Sequence, residues 1–262
     1  MAQARKLEKA AQASDALFVL THVYTGYPLV RQARKMVAEG ALGTIRLVQV
    51  EYIQDWLADP ADHGGKQAEW RNDPERNGAG GALGDIGTHA YNLLRFVSGL
   101  KVEGLAADLH FFGPGRRVDD NGHVLLRLEN GARGMVWFSQ IAIGQENGLR
   151  LRIIGDKGAL DWGQEEPNAL WHTPLGEPRR RLTRNGPGTD IAGRIPAGHP
   201  EGFLEAFATL YDDAAAAIRA HRDGKAAPVA ATLPGLKDGM EGMEFIDACL
   251  RSSQRNAAWV KP

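Results

Sequence analysis

The chain has 262 residues, 43% of them apolar and 24% charged, with a formal net charge of −1. That is ordinary globular material, long enough for one large domain or two small ones, and its balanced charge argues against a general nucleic-acid or membrane-surface role. No apolar run approaches a membrane span, and the single cysteine, Cys249, excludes internal disulfides and a cysteine-built zinc site while fitting a reducing cytoplasm.

The first nine residues lack a following hydrophobic region, so they are no secretory signal. Residues 3–14 read as a helix with Leu7, Ala10 and Ala11 inward. Ala16 to Tyr24 is a largely apolar run of strand length, suited to a buried parallel strand. His22 and Tyr24 stand at its C-terminal end, where α/β sheets place ligands. The alternative is a strand-end pair satisfied by backbone groups. Pro28 suits the first turn of a helix that stops at Gly40, with Leu29, Ala33, Met36 and Val37 inward and Arg31, Arg34 and Lys35 in solvent. Thr44 to Gln54 is a strand whose alternation changes phase near Val48, the mark of a bulge. Asp55 to Asn77 is a long polar loop carrying Trp56, His63, Trp70 and Arg71. Loops of that length in compact domains are usually functional.

From Ala82 to Val97 the chain reads as a helix, with Leu83, Ile86, Ala90, Leu94 and Val97 on one face. Asp85 and His89 are four residues apart and meet on another side of it. A carboxylate beside an imidazole makes a proton-transfer pair: the acid orients the ring and raises its basicity. The same spacing also fits a plain surface ion pair. Gly81, Gly84 and Gly87 cost a helix about 1 kcal/mol each against alanine, which calls for close approach of a backbone or a ligand. Gly78-x-Gly80-x-x-x-Gly84 imitates a dinucleotide fingerprint, but the run before it is polar loop rather than the buried strand such a site needs.

A β-rich half follows. Lys101 to Phe112 is a strand, and His123 to Glu129 and Ala132 to Ile141 form a hairpin through Asn130-Gly131. Leu149 to Ile154, Ala159 to Trp162 and Asn168 to Thr173 continue an antiparallel meander, one broad open sheet with a face to cover. Trp137 and Phe138 point to opposite faces of it. Arg179 to Arg184 is a basic cluster, either a solvated loop or an anion clamp. His199-Pro200 opens a helix with Phe203, Phe207, Leu210, Tyr211, Ala214 and Ile218 inward. The last helix spans 236–253, with Leu236, Met240, Met243, Ile246 and Leu250 on one face, and Cys249 sits in that apolar pattern as a buried thiol.

Trp70-Arg71 followed by Gly80-Gly81-Ala82-Leu83-x-Asp85-x-Gly87-x-His89 resembles the signature of the Gfo/Idh/MocA oxidoreductases, the glucose–fructose oxidoreductase and inositol dehydrogenase family. Tyr24-x-x-x-Pro28 and the closing Asp238-Gly239-Met240 helix extend the likeness over essentially the whole chain; Thr25 departs from the arginine frequent there. The resemblance implies an α+β fold: a large, open, mainly antiparallel sheet with helices on one face, preceded by a remnant α–β unit of a Rossmann fold. Residues 1–25 would be the last helix and strand of a truncated dinucleotide-binding domain, and 26–262 a substrate-binding and oligomerisation domain. The family's glycine fingerprint and catalytic lysine would precede residue 1.

The implied activity is NAD- or NADP-dependent hydride transfer at a hydroxyl of a sugar or cyclitol. By resemblance His89 and Asp85 are catalytic, Tyr24, His22, Trp70 and Arg71 are cofactor-binding, and His199 is substrate-binding, with no metal. A homo-oligomer formed through the open sheet is implied as well. Two other classes stay open: a ligand-binding or oligomerisation module without redox activity, and a metal site built on Asp85, His89 and a third histidine.

Overall fold

The structure, a computed structural model, describes residues 1–59, 73–227, 229 and 232–262. Alternation of side chains builds its sheet. In Asn121–Leu128, Val124, Leu126 and Leu128 are buried while His123, Leu125 and Arg127 face outward, the period-two pattern of a strand with one covered face. Asn130 and Gly131, both at positive φ (60° and 76°), turn that strand back into Arg133–Ser139, as the Asn-Gly pair dictates.

In chain order the described elements are α1 (Ala2–Gln12), α2 (Pro28–Ala38), β1 (Ile45–Ile53), α3 (Thr88–Ser98), β2 (Val102–His110), β3 (Asn121–Leu128), β4 (Arg133–Ser139), β5 (Gly148–Gly155), β6 (Gly158–Gly163), β7 (Ala169–Pro174), β8 (Arg180–Thr183), α4 (Phe203–Arg222) and α5 (Leu236–Ser253). The eight strands form one open sheet in the order β2-β3-β4-β1-β5-β6-β7-β8. Every neighbouring pair is antiparallel except β1 with β4. This is the expected α+β class. The bulge in β1 falls at its pairing with β5, between Ile45 and Leu47, one residue before the expected place.

One face of the sheet is covered by α2, α3 and α5. Val48, Val50, Val124, Val136, Phe138, Leu151 and Ile153 lie beneath Leu83, Ala90, Leu93 and Leu94 in one core. Each fully buried aliphatic or aromatic side chain there is worth about 1.5–3 kcal/mol. Tyr91 stacks on Phe245, ring centroids 4.3 Å apart, and so fixes α3 against α5. Phe138 is fully buried on the covered face. Trp137 is half-buried on the other face, where it stacks on His123.

Several local expectations are corrected. The run 16–24 is not a strand: it makes a single bridge, Val19 to Gly235, and then a 3-10 turn over Val23–Gly26. A parallel strand needs a neighbour along its length, and here it has one residue of pairing. Leu7 is exposed and α1 buries nothing. Arg31 and Arg34 are not solvated: Arg31 pairs with Asp213 at 2.6 Å, and the Arg34 guanidinium lies 4.4 Å from the Phe96 ring centre.

α4 turns Ala206, Leu210, Asp213 and Ala217 inward and leaves Tyr211 and Ile218 exposed. The cause is a backbone contact: a Cβ on Gly26 would run into the Ala206 carbonyl, so the alanine stripe must face the 3-10 turn. α5 likewise buries Phe245, Ala248, Cys249 and Ser252, not its methionine stripe.

β8 was unforeseen, because it lies within a run of arginines. Three of that run, Arg179, Arg180 and Arg181, pair with Asp161, Glu177 and Glu166. Arg184 is different. It is buried, 3.2 Å from Glu201, and its guanidinium also holds Asn168 Oδ1 and the carbonyls of Ile195, Pro196 and His199. It ties loop 185–201 to the end of β8. Removing one member of a buried pair leaves the other uncompensated, at a cost of roughly 3–5 kcal/mol. Arg184→Leu is therefore expected to lower the unfolding free energy in urea by about that amount, against roughly 0.5 kcal/mol or less for Arg180→Leu on the surface; equal effects would contradict the assignment.

Candidate active site

The turn carrying Asp85 and His89 starts at a buried carboxylate. Asp119 Oδ1 accepts from Gly81 N (2.8 Å) and Oδ2 from Leu83 N (2.7 Å), and the Asp119 carbonyl accepts from Ala82 N (2.8 Å). A helix start has donors without intrahelical partners, and a remote acid takes them here. Gly81 is glycine because a Cβ would collide with the Asp119 backbone. Gly87 is glycine because a Cβ would press on Phe138 at 3.1 Å. Gly84 faces open space, so close packing does not explain it. Burial pushes the Asp119 carboxyl up to about 6. These bonds to Asp119 take the amides of Gly81, Ala82 and Leu83 away from any phosphate.

Leu83–Gly87 forms a π turn, with the Thr88 amide reaching back to the Leu83 carbonyl, and α3 follows directly. Such turns are rare and frequent at functional sites. Asp85 and His89 lie on one side of it, both half-buried. Gln140 Nε2, at the end of β4, donates to Asp85 Oδ2 at 2.7 Å and fixes that carboxylate. His89 Nδ1 lies 3.3 Å from His22 Nδ1, with the rings at 88°. Burial holds the His89 imidazole below its ordinary range, and the Asp85 charge works against that. Burial, and then His89, bring His22 down to about 3. Both rings are neutral at pH 7.

Tyr24 stands edge-on to His89, centroids 5.3 Å apart, and its hydroxyl meets that of Tyr52. Tyr52 donates to Asn147 Oδ1 (2.9 Å), so Tyr24 is the donor of the tyrosine pair. Gln54 Nε2 donates to the same Asn147 oxygen (2.8 Å), and Trp56 Nε1 donates to Gln54 Oε1 (3.1 Å). Burial raises both tyrosine hydroxyls, so they stay protonated.

These groups surround a cavity of about 500 Å³ lined by Tyr24, Tyr52, Gln54, Trp56, Asp85 and His89, with Phe203 and Phe207 of α4 on its apolar side. The flat faces of Tyr24, Trp56, Phe203 and Phe207 suit an aromatic ring of a cofactor. The carboxylate, imidazole and amides suit a polyhydroxylated small molecule. A larger hollow of about 650 Å³ near Arg95 and Glu241 offers charges already paired with each other and no proton-transfer group of this kind.

The sequence-predicted residues thus separate. Asp85, His89 and Tyr24 share the cavity, while His22 sits behind His89 rather than on the cavity wall. His199 is not brought in: its side chain is exposed, and its carbonyl is held by Arg184. Trp70, Arg71 and His63 lie outside the described residues. Tyr52, Gln54, Gln140, Asn147 and Asp119 went unnoticed in the sequence. Only Tyr52 carried a signal, since it continues the inward alternation of Val48 and Val50. Among the described residues no three histidine, cysteine or acidic side chains are grouped to hold a metal, and no helix is long and apolar enough to cross a membrane.

Comparison with known proteins gives this geometry relatives. Residues 30–161 match the GFO/IDH/MocA C-terminal domain. The uncharacterized oxidoreductase YfiI of Bacillus subtilis is 32% identical over 99% of this chain and 68% of its own length. The crystal structure of an oxidoreductase from Sinorhizobium meliloti is 55% identical, with a TM-score of 0.87, over 99% of this chain and 69% of that one. An inositol dehydrogenase homologue from Azotobacter vinelandii, solved with NAD+, superposes with a TM-score of 0.93 at 34% identity, over 99% of this chain and 68% of that one. An inositol dehydrogenase homologue from A. vinelandii solved with NADH and myo-inositol is 32% identical, with a TM-score of 0.87, over 99% of this chain and 68% of that one.

The Asp119 cap has a measurable signature. Its carboxyl goes from about 6 when folded to 3.8 when free, so between those values the native state holds more protons than the unfolded one. Its contribution to stability is complete below pH 3.8 and declines as pH rises through 6. Asp119→Asn removes that slope. The difference in unfolding free energy between wild type and Asp119→Asn is expected to change between pH 4 and pH 7; a constant difference would contradict the burial of a titrating acid.

Proposed function

The chain belongs to the Gfo/Idh/MocA oxidoreductases, and from that premise we propose that its cavity binds a cyclitol or sugar beside the nicotinamide of NAD(P), with His89 as the proton acceptor for the hydroxyl being oxidised. The observation that carries this reading is a half-buried imidazole on the wall of a polar and aromatic cavity, with a fixed carboxylate one turn away; burial favours its neutral form. A general base must be unprotonated at working pH and within reach of the proton it takes. Burial secures the first condition for His89. Cofactor and myo-inositol in the A. vinelandii homologue support the ligand class.

Bound NAD(P) supplies the acceptor for a hydride leaving the substrate carbon. The rest falls to this chain. His89 Nε2 takes the hydroxyl proton as the carbon–hydrogen bond breaks, so the alcohol becomes a carbonyl and the imidazole becomes cationic. Asp85 faces that developing charge and stabilises it; Gln140 keeps the carboxylate in place. Tyr24 lends an aromatic face to the nicotinamide side. Gln54 and the Asn147 network line the wall where further substrate hydroxyls would be read. Phe203 and Phe207 give the cavity an apolar side.

Turnover is tested with NAD(P) and myo-inositol in the longest polypeptide carrying this sequence. His89→Ala is expected to lower kcat by roughly 10²–10⁴-fold and leave cofactor Kd within about twofold, the pattern of a group acting in the transition state. Unchanged kcat would remove His89 from the reaction. Asp85→Asn is expected to lower kcat less and to raise KM.

The uncovered sheet face, where Leu47 and Ile154 are an exposed cross-strand pair and Leu125 is exposed two strands away, is where we propose that copies of the chain meet. Large apolar side chains left exposed on an unpartnered face favour an interaction surface. Leu125→Asp is expected to shift the sedimentation coefficient toward that of the monomer, and a monomer already in wild type would contradict the proposal.

A further inference from the structure

We infer that His22 is a positioning residue that sets the proton of His89: by accepting a hydrogen bond at its own Nδ1 it keeps the His89 proton on Nδ1 and leaves the cavity-side Nε2 as a bare base. This rests on the proposed role of His89. The geometry is a direct one. Two Nδ1 atoms stand 3.3 Å apart, with the ring planes at 88°. A neutral imidazole has one N–H and one lone pair, so two neutral rings facing each other through Nδ1 must divide the roles. One donates from Nδ1; the other accepts there and carries its proton on Nε2.

The two assignments have opposite consequences. If His22 donates, His89 is the Nε2–H tautomer and meets a substrate hydroxyl with a donor, which cannot take a proton. If His89 donates, Nε2 is free for that proton, and His22 then carries its own on Nε2. Neutrality of both rings is what enforces the division, and it follows from burial among the 3-10 turn, α3 and α5. His22 is itself anchored: its carbonyl accepts from Thr25 N (3.0 Å) and Thr25 Oγ1 (2.9 Å), and its amide donates to Leu20 O (2.9 Å). The ring therefore has a fixed base from which to hold its neighbour.

The charged and titratable groups facing His89 are Asp85 from the π turn, Tyr24 and His22 from the 3-10 segment, and Tyr52 from β1. Asp85 favours the cationic ring, and the tyrosines stay neutral. When His89 takes a proton at Nε2, its Nδ1–H bond to His22 becomes charge-assisted and shortens. His22 so contributes most when the substrate hydroxyl has lost its proton.

The test is nitrogen-15 NMR of the histidine rings in the 262-residue chain at neutral pH, together with kinetics in the longest polypeptide carrying it. His89 should show a protonated Nδ1 and an unprotonated Nε2, and His22 the reverse. The opposite pattern, or two rings averaging both tautomers, would overturn the inference without any reference to turnover. His22→Phe should lower kcat on the order of tenfold, part of the 10²–10⁴ that a positioned acid–base group contributes roughly, and should shift the acidic limb of the kcat pH profile. His22→Asn, whose Oδ1 can accept the same bond, should restore both. If His89→Ala abolishes turnover while His22→Phe changes neither kcat nor profile, the inference fails and the role of His89 stands. If His89→Ala has no effect, the parent reading fails first.

Discussion

The site depends on one carboxylate that carries out no chemistry. Asp119 reaches from the polar stretch before β3 and takes two amides at the start of the turn that bears Asp85 and His89. Without an acceptor there, those donors would be buried and unpaired, at about 1–3 kcal/mol for each. The turn's other end is pinned by Phe138 against Gly87 and by the buried face of α3. Between these two anchors the chain adopts a π turn, and the Asp85–His89 pair projects from it. The strand that supplies Phe138 ends at Ser139, one residue before Gln140, so the sheet core and the Asp85 carboxylate are positioned by neighbouring residues of one segment.

Around that turn the cavity is assembled from pieces far apart in the chain: the 3-10 turn at 23–26, the end of β1, the loop before β5, and the first turn of α4. Their meeting has a backbone cause. α4 crosses the 3-10 turn at Gly26, where no side chain fits, and this brings Phe203 and Phe207 over the opening. The polar wall is one connected chain of bonds through Trp56, Gln54, Asn147, Tyr52 and Tyr24. Such a chain orders its own protons, because each group that donates must find an acceptor next in line. The histidine pair extends the same logic to the reacting group.

How much of this was legible in the sequence follows from range. Local patterns carried: Asn130-Gly131 specified its hairpin, the Leu83-to-Val97 periodicity specified a buried helix face, and Asp85 and His89 were picked out by spacing alone. Resemblance added the chemistry those two residues could do. What failed was tertiary. The apolar run 16–24 has strand composition but finds one bridging partner. α4 and α5 have obvious apolar stripes, yet close backbone packing at Gly26 and the stacking of Phe245 on Tyr91 choose different faces. Arg184 looks like its three exposed neighbours and is the buried one. Nothing in the sequence around Asp119 announces a cap for a turn 36 residues earlier. The His22–His89 contact joins residues 67 apart, which spacing rules for a single helix do not reach.

The claim at the centre of this account is that the cavity beside His89 is where a cyclitol binds. It is tested most directly by titrating myo-inositol into the 262-residue chain and following backbone and histidine-ring resonances by NMR. The account predicts saturable shifts at Asp85, His89, Tyr24, Gln54 and Phe203, with His22 responding through His89. Shifts confined to the charged hollow around Arg95 and Glu241, with the His89 ring unmoved at saturation, would contradict it.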